Sequence, residues 1–263
     1  MKDSSVQRST LGDVELVRLI EWHEPFLPAA DFLPDVPPEV WERNAWLAPD
    51  HWDPATGRTV IALQTWVLHS AGVRREDVDL VVNTHLHVDH VGWNTFGAVG
   101  TWEPTFPNAE YLIPAADDAH YGPDNVSGAG LQAVDRLIYE DSVAPIHRAG
   151  QAVLWDGFHR IDEHLVLESA PGHTPGSSVL RLASGSDRAV FVGDLLHSPV
   201  QILEPCCNSS SCAAPGQAAA TRRRILERAA DEGELLVPAH FGGAGALEVT
   251  RAGSGFTLGR WAR

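Results

Sequence analysis

The chain has 263 residues, of which 44% are hydrophobic and 21% charged, and its formal net charge is −16. This length and composition are typical of a globular protein with a substantial core, and the acidic excess would repel phosphate backbones, which argues against a nucleic-acid partner. No apolar run is long enough to span a membrane and the N-terminus has no signal-peptide pattern, so we expect a cytoplasmic protein without membrane association.

The first distinctive segment, residues 21–58, contains seven of the 18 prolines and four of the nine tryptophans. This density of proline disfavours regular structure, whereas tryptophan side chains need burial or a partner. Residues 1–58 are therefore predicted to form an N-terminal arm or lid on a single domain that spans residues 1–263. Three alternatives remain open for the segment: packing across the chain's own core, a lid over a pocket, or a contact in a homodimer.

Downstream of this arm, short apolar runs rich in β-branched and aromatic residues alternate with segments of helical periodicity. The segment 218–232 is predicted to be an amphipathic helix, because Gly233 follows it where helices commonly end. The alternation predicts an α/β domain with helices on the faces of its sheets. The predicted strands are 59–70, 78–84, 109–114, 152–155, 163–170, 177–183, 188–194 and 234–238, and the predicted helices are 131–143 and 218–232, with a short helical turn in 71–78.

Residues 83–93, NTHLHVDHVGW, place three histidines and one aspartate in six consecutive positions directly after a predicted strand. His85 and His87 are two residues apart and project the same way from the strand end, while Asp89 and His90 lie on the following turn. Imidazoles and a carboxylate are the ligands of zinc, iron and manganese. A His-rich surface loop is the alternative for this segment alone.

Three further segments repeat the pattern of a strand end followed by a candidate ligand. They are ESAPGHTPGSS with His173, VFVGDLLHS with Asp194, and LLVPAHFGG with His240. Taken singly, each is explained by a loop histidine or a capping aspartate. Their joint occurrence with the His-rich segment predicts a metal site with seven ligands, each at a strand exit.

The order of these motifs, HxHxDH, PGHTPG, GD and PAHFG, resembles the metallo-β-lactamase-fold hydrolase superfamily over roughly residues 59–245. The resemblance implies a four-layer αβ/βα sandwich with a dinuclear metal site at one edge. The implied cofactors are two divalent ions, with zinc preferred and manganese, iron or cobalt as alternatives. By matching motif positions, the resemblance gives the first metal to His85, His87 and His173, gives the second metal to Asp89, His90 and His240, and makes Asp194 the bridge.

The aspartate at position 194 narrows the class of hydrolase that the resemblance implies. True β-lactamases of the superfamily typically have cysteine or serine there, whereas a carboxylate suits lactonases, thioesterases and phosphotriesterases. His197 and Trp93 are similar to the methyl parathion hydrolase-like branch, while N-acyl-homoserine lactonases typically have tyrosine in place of His197. The implied reaction is attack of a hydroxide held by the two metals on an ester, lactone, thioester or phosphotriester in a small, largely apolar substrate.

Four residues have expected roles around this reaction. Asp89 is expected both to bind metal and to accept a hydrogen bond from the nucleophile. His197 is expected to hydrogen-bond the substrate oxygen or protonate the leaving group, with the orientation of a metal ligand as the alternative. Trp93 and Phe241 are expected to line an apolar pocket, with packing against the core as the alternative.

The chain departs from the family pattern between the predicted strands 59–70 and 78–84. Family members usually have an Asp-Thr-Gly turn and a helix there, which support the metal loop, the His-rich segment of residues 83–93. Here most of one strand and one helix are missing. The departure motivates an alternative function, a catalytically impaired metal-binding homologue that acts as a sensor or scaffold. A redox protein of the same fold is a third hypothesis, but it usually needs a flavin-binding or rubredoxin partner domain that this sequence lacks.

The three cysteines, Cys206, Cys207 and Cys212, all lie within the segment CCNSSSC. An odd number argues against a secreted disulfide framework. Neither a fourth cysteine nor a histidine nearby in the sequence completes a structural zinc site. The segment is therefore interpreted as a loop, with a redox-labile pair of the adjacent cysteines as the functional alternative.

Overall fold

Short strands and helices alternate along the computed structural model, which describes residues 5–68, 74–126, 128 and 131–262. In these residues no helix is long and apolar enough to cross a membrane. The strands described there are β1 (Val6–Leu11), β2 (Val14–Pro28), β3 (Trp52–Asp53), β4 (Arg58–Leu68), β5 (Leu80–Val82), β6 (Thr95–Phe96), β7 (Glu103–Pro104), β8 (Glu110–Pro114), β9 (Ala152–Trp155), β10 (Phe158–Arg160), β11 (Leu165–Ser169), β12 (Ser178–Ser184), β13 (Asp187–Gly193), β14 (Leu235–Pro238), β15 (Leu247–Ala252) and β16 (Gly255–Trp261). The helices are α1 (Ala29–Phe32), α2 (Pro38–Arg43), α3 (Val88–Val91), α4 (Ala115–Tyr121), α5 (Ala133–Ser142), α6 (Ala144–Arg148), α7 (Val200–Leu203) and α8 (Pro215–Glu232), with 3-10 turns at Ala45–Leu47, Arg75–Asp77 and Gly92–Asn94.

The elements that the sequence predicts are present as β4, β5, β8, β9, β11, β12, β13, β14, α5 and α8. Helix α8 ends directly before Gly233, as predicted. Residues 69–70 of the predicted strand 59–70, and residues 71–73 of the predicted turn 71–78, lie outside the described residues. Strands β1, β2, β10, β15 and β16 and helices α4 and α6 add to the predicted set.

Two larger sheets and one smaller sheet carry the architecture. Strands β10 to β16 form a seven-stranded sheet in sequence order, and its β13–β14 pair is parallel while the other pairs are antiparallel. A parallel pair needs a crossover connection, and α8 supplies it. A four-stranded sheet has the order β1-β2-β4-β3, and a three-stranded parallel sheet has the order β5-β8-β9.

Strand β13 shows how the layers are stacked, because alternate side chains of a strand point to opposite faces. Ala189 and Phe191 pack in an apolar core shared with β2 and β8 of the other sheets. Val190 and Val192 pack instead in a cluster that includes α8. The seven-stranded sheet is thus covered by sheet on one face and by helix on the other.

Strand β8 repeats this arrangement on the other side of the shared core. Leu112 points into that core, whereas Tyr111 and Ile113 pack in a cluster with residues of α5 and α6. The order of layers is therefore helix, sheet, sheet and helix. This is the four-layer αβ/βα sandwich that the sequence predicts.

The N-terminal segment 1–58, predicted as an arm or lid, holds more regular structure than its proline content indicates. In its described part, β1 pairs with β2, and the long strand β2 pairs with β4. The prolines are tolerated because the register of the β2–β4 pairing shifts between Pro25 and Pro28, at the end of β2. Such irregular positions and strand ends are where a sheet accepts proline.

Residues 29–47, which follow β2, pack against the rest of the protein. Phe32, Leu33 and Trp41 are buried in one apolar cluster with Ile61 of β4 and Val200 of α7. These contacts correspond to the alternative in which the segment packs across the chain's own core. A lid and a homodimer contact stay predictions for this segment.

The sequence predicts that most of one strand and one helix are absent between β4 and β5. Part of this stretch, residues 69–73, lies outside the described residues. In residues 74–79 the structure has one 3-10 turn, in which the Asp77 carboxylate accepts a hydrogen bond from the Arg74 backbone N–H. Strand β5 and the metal loop follow this turn directly.

Candidate metal centre

All seven predicted ligands lie together at one edge of the sandwich, although they come from four separate segments of the chain. His85 and His87 follow β5, and Asp89 and His90 lie on α3. His173 lies between β11 and β12, Asp194 follows β13, and His240 follows β14. Within each of two groups the ligand atoms are no more than 4.8 Å apart; the first group is His85, His87, His173 and Asp194, and the second is Asp89, His90, Asp194 and His240.

Asp194 belongs to both groups, and its two carboxylate oxygens face different partners. Oδ2 lies 3.2 Å from His173 Nε2 and 3.6 Å from His85 Nε2. Oδ1 lies 2.9 Å from His90 Nε2 and 3.0 Å from His240 Nε2. The carboxylate therefore has one oxygen for each group, as a bridging ligand requires.

His87 completes the first group through Nδ1 rather than Nε2. This nitrogen lies 2.9 Å from His173 Nε2 and 3.2 Å from His85 Nε2. Only one nitrogen of a facing pair can carry the hydrogen of such a contact. Once His173 is deprotonated, the three converging ring nitrogens would direct lone pairs at a common point, which is the donor set of a divalent transition metal.

Two buried atoms show that the second group also fits a cation. His90 Nε2 and Asp194 Oδ1 are only 2.9 Å apart, yet among the described residues neither has a hydrogen-bond partner of acceptable geometry. A buried polar atom without a partner is costly. A metal ion that binds both atoms would remove that cost, so the residues present fit two ions that share Asp194.

Burial and mutual charge set the pKa values of the candidate ligands. Burial alone would raise the pKa of Asp194, but the histidines around it, foremost His240, hold that pKa well below its usual value. Burial acts to lower the pKa of His240 and of His173, yet the adjacent Asp194 carboxylate raises both to about 9. Burial, aided by the charge of His173, lowers the pKa of His87 to about 4. Asp194 and His87 therefore have the ionisation states that metal ligands need at neutral pH.

Gly193 allows β13 to deliver Asp194 beside the metal loop. Its φ is 50°, in the left-handed region that favours glycine. A Cβ atom at this position would lie 2.8 Å from Oγ1 of Thr84, the residue immediately before His85. The close approach of the two loops depends on the absence of a side chain here.

His240 is held in place by residues of β2 and β4, two strands that carry none of the candidate ligands. The ring donates through Nδ1 to the Ala62 carbonyl at 2.8 Å, so Nε2 is left for the cluster. The buried Arg18 guanidinium donates to the carbonyls of Phe241 and Gly243 at 2.6 and 2.7 Å. Sequence reasoning missed Arg18; its signal is a single arginine inside the apolar run VELVRLI.

His197, predicted to act on the substrate, lies against the bridging carboxylate. Its Nε2 is 3.2 Å from Asp194 Oδ2, and its ring packs edge-on to Phe32. The side chain is 3% exposed, and Gln201 Oε1 accepts a hydrogen bond from its backbone N–H. The contact with Asp194 favours the alternative in which His197 orients a ligand, and a role toward the substrate stays a prediction.

The two predicted pocket residues lie in different surroundings. Trp93 is 56% exposed and donates from Nε1 to Glu21 Oε1 at 2.8 Å. Phe241 is fully buried, and its ring contacts His51 and Trp261. The contacts of Phe241 are those of the core-packing alternative, and a role of Trp93 toward the substrate stays a prediction.

The CCNSSSC segment lies beside the first ligand group, a proximity that the sequence does not reveal. Cys212 Sγ is 3.7 Å from Nδ1 of His173, the ring nitrogen on the side away from Asp194. Cys212 thus contacts a ligand and does not itself belong to either group. Cys206 is exposed, Cys207 is buried, and all three thiols are free.

Comparisons with known proteins give one family match and several solved structures with the same fold. The model of the Metallo-beta-lactamase superfamily matches residues 52–240. No curated protein sequence matches the chain significantly. The solved structure of AbOPH, described as a hydrolase in the beta lactamase superfamily, has a TM-score of 0.81 at 18% identity and covers 98% of this chain and 98% of its own.

Two further solved structures share the fold. AidC, described as a dizinc quorum-quenching lactonase in complex with a product N-hexnoyl-L-homoserine, has a TM-score of 0.78 at 20% identity, with 97% of this chain and 96% of its own covered. A probable metal-dependent hydrolase from Staphylococcus aureus has a TM-score of 0.76 at 14% identity, with 95% of this chain and 98% of its own covered.

Proposed function

Because this chain belongs to the metallo-β-lactamase superfamily, we propose that it is a hydrolase that uses two divalent metal ions, preferably zinc, to cleave an ester-type bond. The candidate bonds are those of a lactone, another ester, a thioester or a phosphotriester in a small, largely apolar substrate. The observation that carries the proposal is Asp194, whose two oxygens each face one of two groups of histidines. The fold shared with the dizinc lactonase AidC supports zinc and a lactone as the first ion and substrate to test.

In this proposal one ion is held by His85, His87 and His173, the other by Asp89, His90 and His240, and Asp194 contacts both. When bound, the ions supply a Lewis acid for the substrate oxygen and lower the pKa of a water molecule toward neutrality. The chain keeps the ligands fixed, as the hydrogen bond from His240 Nδ1 to Ala62 shows. Fixed ligands spare the reaction the cost of reorganising the site.

The substrate approaches from the side of α3 in this proposal. Asp89 is the only exposed residue of the seven, while most of the others are buried. Its carboxylate is thus placed to accept a hydrogen bond from the nucleophile. Val88 and Trp93, close to Asp89 in the sequence, are 58% and 56% exposed. Apolar side chains beside the opening favour an apolar substrate.

We expect the purified protein to bind about two transition-metal ions per chain, because seven ligands are too many for one tetrahedral ion. The measurement is elemental analysis after chelation and reloading with zinc, manganese, iron or cobalt. Protein that takes up no metal under these conditions would contradict the proposal. Metal uptake without turnover of any substrate class would favour the sensor or scaffold alternative.

We also expect neutral, apolar lactones and esters to be preferred over nucleic acids and strongly anionic substrates. The net charge of −16 repels polyanions, and the ligand segment includes the exposed apolar side chains of Val88 and Trp93. The measurement compares kcat/KM for a panel of lactones, aryl esters, thioesters and phosphotriesters, with RNA and DNA included. Efficient cleavage of RNA or DNA by the pure, metal-loaded protein would overturn this expectation.

The remaining parts of the proposal concern location and assembly. A cytoplasmic location is supported by the free, exposed thiol of Cys206, since such thiols persist in a reducing compartment. The expected partner is a diffusible small molecule, and no membrane or nucleic acid is involved. A homodimer through the N-terminal segment stays a prediction, which light scattering of the purified chain tests directly.

A further inference from the structure

Asp117 is a fully buried carboxylate on α4, outside both ligand groups. Its Oδ2 accepts hydrogen bonds from the Leu86 backbone N–H at 3.0 Å and from Thr174 Oγ1 at 2.9 Å. Its Oδ1 accepts a hydrogen bond from the Gly176 backbone N–H at 2.6 Å. Three donors on one buried carboxylate make a strong, specific contact, because hydrogen bonds to an ionised acceptor are the stronger kind.

The partners of Asp117 belong to the two loops that carry the first ligand group. Leu86 lies between His85 and His87, and Thr174 directly follows His173. A single side chain therefore joins the loop after β5 to the loop before β12. The second ligand group has separate support at His240, from Ala62 and Arg18.

The fit around Asp117 is close. A Cβ atom at Gly176 would lie 2.6 Å from the Asp117 backbone nitrogen and 2.8 Å from Asp117 Oδ1. Glycine at this position is what lets the His173 loop reach the carboxylate. The neighbouring Asp118, in contrast, bonds Tyr139 and His147 on the outer side of the helix.

We propose that Asp117 is a positioning residue that holds His85, His87 and His173 in place for the first metal ion. Its hydrogen bonds link the segment that carries His85 and His87 to the segment that carries His173. The inference rests on the proposed metal centre. It assigns to Asp117 a selective effect on one of the two ions, because its hydrogen bonds fall on Leu86, between His85 and His87, and on Thr174, next to His173.

The test compares Asp117→Asn with Asp118→Asn, an equal change at the next position of the same helix. Zinc content is measured under increasing chelator, without reference to activity. Asparagine has the same shape but one acceptor oxygen fewer. We expect Asp117→Asn to lower the affinity for one of the two zinc ions by about 10–100-fold, as is usual when a residue that positions metal ligands is lost. Asp118→Asn should leave the affinity for both ions unchanged.

A double-mutant cycle identifies which ion is affected. The effect of Asp117→Asn on zinc affinity should be non-additive with His173→Ala, which disrupts the first site, and additive with His240→Ala, which disrupts the second. Thr174→Val removes one of the three hydrogen bonds with little change of shape and should give a smaller loss of the same ion. This variant carries the test if Asp117→Asn does not fold.

Three outcomes would decide against the inference. Unchanged affinity for both ions in Asp117→Asn, or equal weakening of both ions, would overturn a positioning role at the first site. Additivity with His173→Ala would do the same. A wild-type protein that binds no zinc would instead refute the proposed function itself, so the two failures are distinguishable.

Discussion

Replacing Asp194 with asparagine is expected to remove both hydrolysis and bound metal, with turnover lowered by roughly 10³-fold or more, the equivalent of losing several kcal/mol of stabilisation by the ions. The reason is that Asp194 Oδ2 faces His173 while Oδ1 faces His90 and His240. An amide has the same shape but offers one neutral oxygen and one N–H group. The measurements are elemental analysis and kcat with the best substrate of the panel.

The matched control for this variant is Asp187→Asn, at the exposed first residue of the same strand β13. Asp187 accepts hydrogen bonds from the Gly12 backbone N–H and from Ser186 Oγ, at the end of β13 opposite to Asp194. Circular dichroism should show both variants folded. Full metal content with wild-type turnover in Asp194→Asn would refute the shared-carboxylate arrangement.

Replacing His197 with phenylalanine is expected to lower turnover by about 10²–10⁴-fold with both metals retained, if the ring transfers a proton to the leaving group. His197 lies 3.2 Å from Asp194 but is not needed to complete either ligand group. Phenylalanine preserves the ring packing against Phe32. The loss should shrink for nitrophenyl esters, whose leaving group needs no proton, and persist for alkyl esters.

An orienting role for His197 gives a different pattern. Metal affinity or activity would then fall by about 10–100-fold, and the loss would be independent of the leaving group. His159→Phe, a change on β10 away from the cluster, serves as the control. Unchanged turnover with full metal in His197→Phe would exclude both roles.

The candidate ligands could be predicted from the sequence because each of the four segments that carry them follows an apolar strand. That local pattern at His85, Asp194 and His240 is retained in the structure, where β5, β13 and β14 end at the same edge of the sandwich. Parallel neighbours such as β13 and β14 present their ends together. Local sequence and sheet geometry were thus sufficient for the position of the site.

Other features depend on contacts between distant segments, and the sequence carries only weak signals for them. Strand β2 is stabilised by pairing with β4, which outweighs the low strand propensity of Pro25. Cys212 approaches His173 only after the chain has folded. Asp117 follows a predicted strand just as the ligands do, and that placement is the signal through which it could have been found.

The position of the ligands at strand ends also bears on how the protein can evolve. The strands are held by an apolar core that does not involve the exposed side chains Val88 and Trp93. Substitutions at such exposed positions change the surface near the ligand segment without disturbing the packing that places Asp194 and His240. New substrates can therefore be acquired by small steps on the surface while the inherited metal chemistry is kept.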